Sequence, residues 1–162
     1  MPNYQPKSSF IIILILTIAP LSVAYIAEYL FNIIPCKLCI YQRVPYIIIG
    51  LLSMANLILP LKETYSKYSW TIIEITLIES FSLSLFHYGV EKKFFKFYSN
   101  YTNSLQTSEN FKKIITIQDY VPCDQVNFEI FGISASFLNI LYAIFFFVLV
   151  IRLAKIGIRN EK

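Results

Sequence analysis

The sequence predicts an all-α integral membrane protein, a bundle of four transmembrane helices with a long loop between the third and fourth helices. Composition is the first reason: 56% of the 162 residues are hydrophobic and only 15% are charged, against about 25% charged residues in soluble domains. The second reason is that four apolar runs are each close to the length that an α-helix needs to cross a bilayer. We expect a single membrane domain over residues 1–162.

The apolar runs give the bounds of the four predicted spans. The first span, about residues 10–30, contains the uncharged run FIIILILTIAPLSVAYIA, and the second covers about 44–61. The third span, about 70–90, carries ionisable residues, whereas the fourth, about 131–151, is uncharged. A cleaved signal peptide is an alternative for the first run, but the run continues up to Glu28, which favours a retained helix.

Four spans place both termini on one side of the membrane and leave two loops, residues 31–43 and 91–130, on the other. Lys and Arg are equally numerous on the two sides, but on the terminal side they are concentrated in the last residues of the chain. By the positive-inside rule this concentration favours cytoplasmic termini. Residues 111–118 have apolar side chains at helical spacing, which indicates either an amphipathic interfacial helix or an ordinary loop helix.

Reactive side chains are scarce, with three cysteines and one histidine in the chain. An odd number of cysteines leaves one thiol free or exchanging, and an exchanging thiol fits redox chemistry better than structural disulfides do. A buried, inert thiol is the alternative for any single cysteine. The net charge of +4 is modest and spread along the chain, so membrane lipid, and not nucleic acid, is the expected partner.

Cys36 and Cys39 form a C-x-x-C pair in the stretch IPCKLCIYQRVP, between the first two apolar runs. A structural zinc site needs four ligands, and His87 lies within an apolar run, so no metal is expected. Covalent haem attachment requires His after the second cysteine, where this chain has Ile40. No βαβ pattern surrounds the pair, so a thioredoxin-like domain is excluded and a redox dithiol at the membrane surface is the remaining interpretation.

The residues around the pair predict a reactive thiol. Pro35 favours a turn ahead of the pair. A helix that starts close to Cys39 brings backbone amides near the sulfurs, where they favour the thiolate. Arg43 follows Cys39 by one helical turn, about 6 Å along the axis, and is within reach of the same sulfur or of a polar ligand beside it. Without the nearby thiols, this arginine would be interpreted as an interface anchor.

Four further residues are candidates for function. Cys123 lies on the same predicted side as the pair, shortly before the fourth span, where it can exchange with the pair through a mixed disulfide. Ionisable residues within spans are costly in lipid unless paired or hydrated, so Glu74, Glu79 and His87 are candidates as well. His87 lies near the cysteine side, where it can donate a hydrogen bond to a ligand or carry a proton; a structural histidine is the alternative.

Three motifs resemble the bacterial disulfide bond formation protein B (DsbB) family. PCKLCIYQR is similar to the family's first extracytoplasmic redox motif, and FHYGVE and VPCDQVNFEIFGIS are similar to its third-helix and second-loop motifs, in the same order. The resemblance implies that Cys36 and Cys39 form a disulfide that passes electrons to ubiquinone or menaquinone. It also implies that Arg43 lines the quinone site, that His87 assists there, and that Cys123 takes part in the exchange.

The same resemblance implies a location in the bacterial inner membrane, with cytoplasmic termini and periplasmic cysteine loops. The implied partner is a periplasmic DsbA-like thiol oxidant with a thioredoxin fold. The chain departs from the family pattern in the second loop, where the family has two cysteines and this sequence has only Cys123. The loop disulfide that usually meets the soluble partner therefore cannot form within this loop.

This departure leaves several hypotheses open. We expect the partner to attack a Cys36–Cys39 bond, or an inter-loop bond from Cys123, directly; a lost or narrowed activity is the alternative. A vitamin K epoxide or quinone reductase-like enzyme is a second hypothesis, although its C-x-x-C normally lies later in the chain. A non-catalytic membrane partner protein with incidental cysteines is the third.

Overall fold

The computed structural model of the protein describes residues 7–59, 63–95, 123, 129–130 and 132–159. Within these ranges four helices are long and apolar enough to cross a membrane, at Lys7–Tyr29, Lys37–Ile58, Thr64–Glu91 and Ala135–Lys155. The predicted fold class, a membrane protein with four transmembrane helices, is therefore confirmed. The helix expected at residues 111–118 lies outside the described residues.

The elements, in chain order, are α1 (Lys7–Tyr29), α2 (Lys37–Tyr41), α3 (Arg43–Ile58), α4 (Glu63–Glu91), β1 (Glu129–Ile130), β2 (Ile133–Ser134) and α5 (Ala135–Arg159). The second span begins earlier than predicted, because α2 and α3 follow each other through Gln42 and form one helical segment. The apolar run begins only after Arg43, because the first residues of the segment are polar. The expected helix start close to Cys39 lies two residues from the observed start at Lys37.

The helices pack as two pairs, α1 with α3 and α4 with α5, and α3 and α4 join the pairs. Their shared core is apolar and contains Phe10, Ile13, Tyr46, Ile49, Trp70, Ile73, Leu77, Phe146 and Val150. Large apolar side chains also cover the outer faces, as at Ile15 and Ile75, which are 61% and 60% exposed. A bilayer, and not water, is the solvent that such outer faces require.

Several polar side chains inside the spans find hydrogen-bond partners within the bundle. Several serine and threonine hydroxyls donate to the carbonyl one turn earlier in their own helix, as Ser53 does to Ile49, which is a common solution in membrane helices. Asn139 of α5 acts between helices. It accepts a hydrogen bond from Tyr46 of α3 and donates one to Ser84 of α4, each at 2.7 Å.

A short antiparallel hairpin of β1 and β2 precedes α5 and was not predicted. Gly132 lies in its turn with a φ of +77°, a conformation that glycine adopts without steric cost. Strands of two residues are too short to produce an alternating pattern in the sequence. Because the hairpin precedes it, the fourth span starts at Ala135 and not at the predicted residue 131.

Asn139→Ala is expected to lower the free energy of unfolding by about 1 kcal/mol, because hydrogen bonds between transmembrane helices contribute roughly 0.6–1.7 kcal/mol. Unfolding of the purified protein in mixed micelles with increasing SDS measures this loss. Asn56→Ala is the matched control, since the Asn56 amide donates only to Leu52 of its own helix. Equal losses in the two variants would contradict the role given to Asn139.

Candidate redox site

The three cysteines lie together where α2 begins and α4 ends. Sγ of Cys36 is 2.8 Å from Sγ of Cys39, and the Cys36 side chain also hydrogen-bonds with Cys123. Leu38 and Val90 pack with these thiols in a small buried cluster. None of the three cysteines forms a disulfide bond in this structure. The structure therefore brings together the three thiols that the sequence placed on one side of the membrane.

The first cysteine of the C-x-x-C pair caps the N-terminus of a helix. Cys36 is the N-cap residue of α2, with extended backbone angles (φ −73°, ψ 167°), and Pro35 immediately precedes it. The backbone N–H of Cys39 donates to Sγ of Cys36 at 3.2 Å, in the manner of a serine or threonine N-cap. A cap bonds to the amide two or three positions later, so the same spacing places the second thiol beside the first.

The protonation of Cys36 depends on its sulfur neighbours. The side-chain hydrogen bond with Cys123 raises the pKa of the Cys36 thiol, and the bond with Cys39 and burial act in the same direction. The amide hydrogen bond from Cys39 lowers this pKa, as the sequence analysis expected of a helix N-terminus, but it does not outweigh the other effects. In the reduced protein, Cys36 is therefore a neutral thiol at neutral pH.

His87 reaches the thiols from α4. Its Nε2 lies 3.5 Å from Sγ of Cys36 and 3.7 Å from Oε1 of Glu91, one turn further along the helix. Glu91 also accepts a hydrogen bond from the Ser136 hydroxyl at the start of α5. The sequence analysis named His87 but missed Glu91 and Ser136. The i, i+4 spacing of His87 and Glu91 was an available signal, whereas Ser136 offered none.

Arg43 is held by an acid from another helix. Its Nη1 lies 2.6 Å from Oε2 of Glu28 in α1, and the guanidinium lies 4.9 Å from the centre of the Tyr25 ring. The sequence predicted that Arg43 reaches the Cys39 sulfur or a ligand beside it. Among the described residues, its polar contact is with Glu28, another residue that the sequence analysis missed.

A cavity of about 440 Å³ lies beside the thiols. Its wall is mostly apolar and comes mainly from α1 and α5, with Cys39, Gln42, Arg43, His87 and Glu91 among its polar members. Neither Cys36 nor Cys123 is part of this wall, so within the described chain Cys39 is the sulfur that faces the cavity. Glu74 and Glu79 also lie outside it, and Glu79 is exposed on the outer face of α4.

A quinone fits the residues of this cavity. An apolar wall suits the ring and its tail, and a few convergent donors suit the two carbonyl oxygens. In the described part of the chain, Nε2 of Gln42 and Nδ1 of His87 are buried without a hydrogen-bond partner. These two atoms, together with the Arg43 guanidinium, are the donors that the wall offers to such a ligand.

The structure also changes one premise of the metal prediction. The sequence analysis rejected His87 as a metal ligand because it lies within an apolar run. In the structure, one of its ring nitrogens and the sulfurs of Cys36 and Cys39 all lie within 4.8 Å of one another. Distance along the chain therefore gives no argument against a metal here. The expectation that no metal binds stays a prediction.

Four transmembrane helices with clustered thiols beside an apolar cavity are typical of the class of membrane thiol redox proteins. The family model described as disulfide bond formation protein DsbB matches residues 6–153, and the chain belongs to this family. An uncharacterized protein of Rickettsia prowazekii (strain Madrid E), RP370, is 30% identical over 148 residues, which is 86% of this chain and 84% of that protein. No solved structure matches the chain.

Membership confirms the resemblance seen in the three motifs. The family implies a membrane oxidase that forms disulfide bonds. The four apolar helices and the family together make the chain a multi-pass membrane protein.

A double-mutant cycle of Glu28→Gln and Arg43→Gln is expected to show a coupling energy of about 1–3 kcal/mol, because the pair is largely buried and each single variant leaves one charge without its partner. The side chains of Arg43 and Glu28 are only 13% and 19% exposed. The free energies of unfolding of the four proteins in micelles give the coupling. Simple additivity of the two single changes would show that the ion pair does not hold Arg43.

Proposed function

We propose that this protein is a quinone-dependent thiol oxidase of the bacterial inner membrane, which reoxidises a periplasmic DsbA-like dithiol protein with a thioredoxin fold. The observation that carries the proposal is the position of Cys39. Its sulfur lies in the wall of an apolar cavity and 2.8 Å from the sulfur of Cys36. Family membership supports the same reaction class.

The first half of the reaction is thiol–disulfide exchange. In the oxidised protein, Cys36 and Cys39 share a disulfide, and a thiolate of the reduced partner attacks it to form a mixed disulfide. The partner's second thiol then displaces this bond. The partner leaves oxidised, and its two electrons and two protons remain on Cys36 and Cys39 as a pair of thiols.

The second half returns the two thiols to the disulfide. A bound quinone supplies the two-electron acceptor. The two S–H bonds break, the S–S bond forms, and two electrons and two protons leave for the acceptor, so the step balances. The sulfur of Cys39 faces the cavity, so Cys39 would pass the electron pair to an acceptor bound there. Nε2 of His87, 3.5 Å from the Cys36 sulfur, is placed to take up a thiol proton.

Cys123 offers Cys36 an alternative disulfide partner. Because Cys36 contacts both Cys39 and Cys123, an inter-loop bond between Cys36 and Cys123 leaves Cys39 as a free thiol in the cavity wall. This arrangement supports direct attack by the partner on a bond of Cys36. It removes the need for the second loop cysteine that this chain lacks.

The charged and polar residues of the cavity hold the ligand. Arg43, Gln42 and His87 provide donors for its oxygen atoms, and Glu28 fixes the direction of the guanidinium through the 2.6 Å ion pair. Ubiquinone and menaquinone both fit this description. Periplasmic cysteine loops and cytoplasmic termini complete the proposal, because disulfides persist in the periplasm and are reduced in the cytosol.

Cys39→Ser is expected to reduce quinone consumption by at least about 100-fold, since the sulfur that faces the cavity is the nucleophile and its loss removes the chemical step. The assay mixes the purified protein, a reduced DsbA-like partner and a ubiquinone or menaquinone analogue, and follows quinone absorbance. Glu79→Gln is the control and should retain quinone reduction, because this exposed carboxylate lies outside the cavity wall. A Cys39→Ser protein with normal turnover would reject the assignment.

Arg43→Gln is expected to raise the KM for quinone by about 10- to 100-fold, because one charged donor to a ligand oxygen is worth roughly 1.5–3 kcal/mol and each 1.4 kcal/mol is a factor of ten. Lys92→Gln removes an equal charge from an exposed residue that lies over the Tyr88 ring, away from the cavity, and should leave KM unchanged. Steady-state rates over a range of quinone concentrations measure both values. An equal rise in the two variants would indicate a general effect of charge and not a donor in the site.

A further inference from the structure

We propose that Tyr142 is a positioning residue of the cavity, which holds the part of α1 that follows Pro20 in place as a movable wall for the ligand. This inference deepens the proposed function and rests on it only for the identity of the ligand, a quinone. The division of α1 at the proline and the contact of Tyr142 with α1 belong to the chain itself.

Pro20 divides α1 into two parts with different surroundings. Within α1, all of which is described, the buried residues precede the proline and are Ser9, Phe10, Ile13 and Thr17. Thr17 lies close to Gly50 of α3. In the described stretch from Pro20 to Tyr29, no side chain is buried. The first part of α1 is therefore anchored in the bundle, whereas the second part packs more loosely.

The second part of α1 lines the cavity. The α1 residues of the cavity wall begin at Ala19 and continue to Glu28, and residues of α5 line the cavity as well. The two helices touch each other only slightly, because α1 packs mainly on α3. Near its end, the second part of α1 is held by the ion pair of Glu28 with Arg43. This wall can therefore move relative to α5 by bending at the proline, which is a usual site of helix kinks.

A backbone carbonyl connects the proline to α5. Proline has no N–H, so the carbonyl of Leu16, four residues before Pro20, lacks its normal helical donor, and the proline ring crowds the same carbonyl. In a membrane helix, a neighbouring helix has to satisfy such a group. The Tyr142 hydroxyl of α5 donates to the Leu16 carbonyl, and Tyr142 is itself part of the cavity wall. The same hydrogen bond therefore satisfies the carbonyl and holds α1 against α5 at the kink.

The position of this wall controls access and binding. Both helices carry exposed apolar side chains, such as Val23 and Leu141, so the gap between them faces the bilayer, from which a lipid-soluble ligand arrives. The wall also carries Glu28, which holds the Arg43 guanidinium in the cavity wall. Loss of the Tyr142 hydroxyl should therefore weaken ligand binding, although Tyr142 is remote from the electron transfer at the thiols.

The first test measures distances in the full-length protein in detergent, without turnover. Spin-labelled noncanonical amino acids leave the thiols unmodified and replace the exposed residues Ile26 of α1 and Leu141 of α5. Ile26 lies about 9 Å along the helix axis beyond Pro20, so a change of roughly 20° in the kink moves it by about 3 Å. We expect Tyr142→Phe to shift the distance distribution of this pair by about this amount, and a ubiquinone analogue to narrow the distribution in the wild type.

A second label pair, at the exposed residues Ile11 and Val148, reports on the anchored part of α1 and should not respond to either change. A distribution for the first pair that is unmoved by Tyr142→Phe, or that moves together with the control pair, would overturn the proposal. The effect of Tyr142→Phe is measured without any ligand, so a failed oxidase assay would leave this result unaffected.

The second test separates binding from chemistry and includes a rescue. Tyr142→Phe should raise the KM for the quinone analogue by about two- to tenfold, the factor that corresponds to one neutral hydrogen bond, with kcat little changed. In a Pro20→Ala background, residue 20 regains its N–H, the Leu16 carbonyl has its helical donor, and Tyr142→Phe should leave KM nearly unchanged. An equal rise in KM with and without the proline, or a loss confined to kcat, would contradict the role given to Tyr142.

Discussion

The hydrogen bond from the Cys39 amide to the Cys36 sulfur is the contact on which the site depends. It makes Cys36 the cap of α2, fixes the direction from which the second transmembrane segment enters the membrane, and sets the two thiols side by side. Because a helix cap has a defined geometry, the backbone and not the loop determines the distance between the sulfurs. The C-x-x-C pair therefore belongs to a regular helical element.

Charge pairing explains how polar groups are kept at this depth. Unpaired ionisable side chains are costly near lipid, and the site contains Arg43, Glu28, His87 and Glu91. Glu28 pairs with one nitrogen of the Arg43 guanidinium. Glu91 approaches Nε2 of His87, while Nδ1 stays without a partner among the described residues. Neither acid therefore occupies every nitrogen of its partner, and donors remain available to a ligand.

The sequence predicted the spans well and the contacts between them poorly, for a physical reason. Apolar runs of bilayer length result from the solvent that the outer faces meet, so composition alone located all four spans. The apolar run placed the second span only from residue 44, because Lys37, Gln42 and Arg43 are polar, and the residues around the C-x-x-C pair indicated the helix start near Cys39. The sequence could not predict the contacts of Glu28 and Ser136 or the contact between Cys123 and Cys36, because partners on different elements leave no periodic signal. His87 and Glu91 form the exception, since helical spacing alone made them neighbours.

Cys36 takes part in both disulfide bonds proposed for this site, because its sulfur contacts Cys39, Cys123 and His87 in the same structure. A sulfur with two cysteine neighbours can bond to one of them and exchange to the other. Exchange between the two cysteines requires only small shifts, since both are already within contact. A chain with a single cysteine in its second loop can therefore retain a complete thiol relay, provided that this cysteine is held against Cys36. The buried cluster with Leu38 and Val90 holds it there, and in the proposed mechanism this packing takes the place of the second loop cysteine that the sequence lacks.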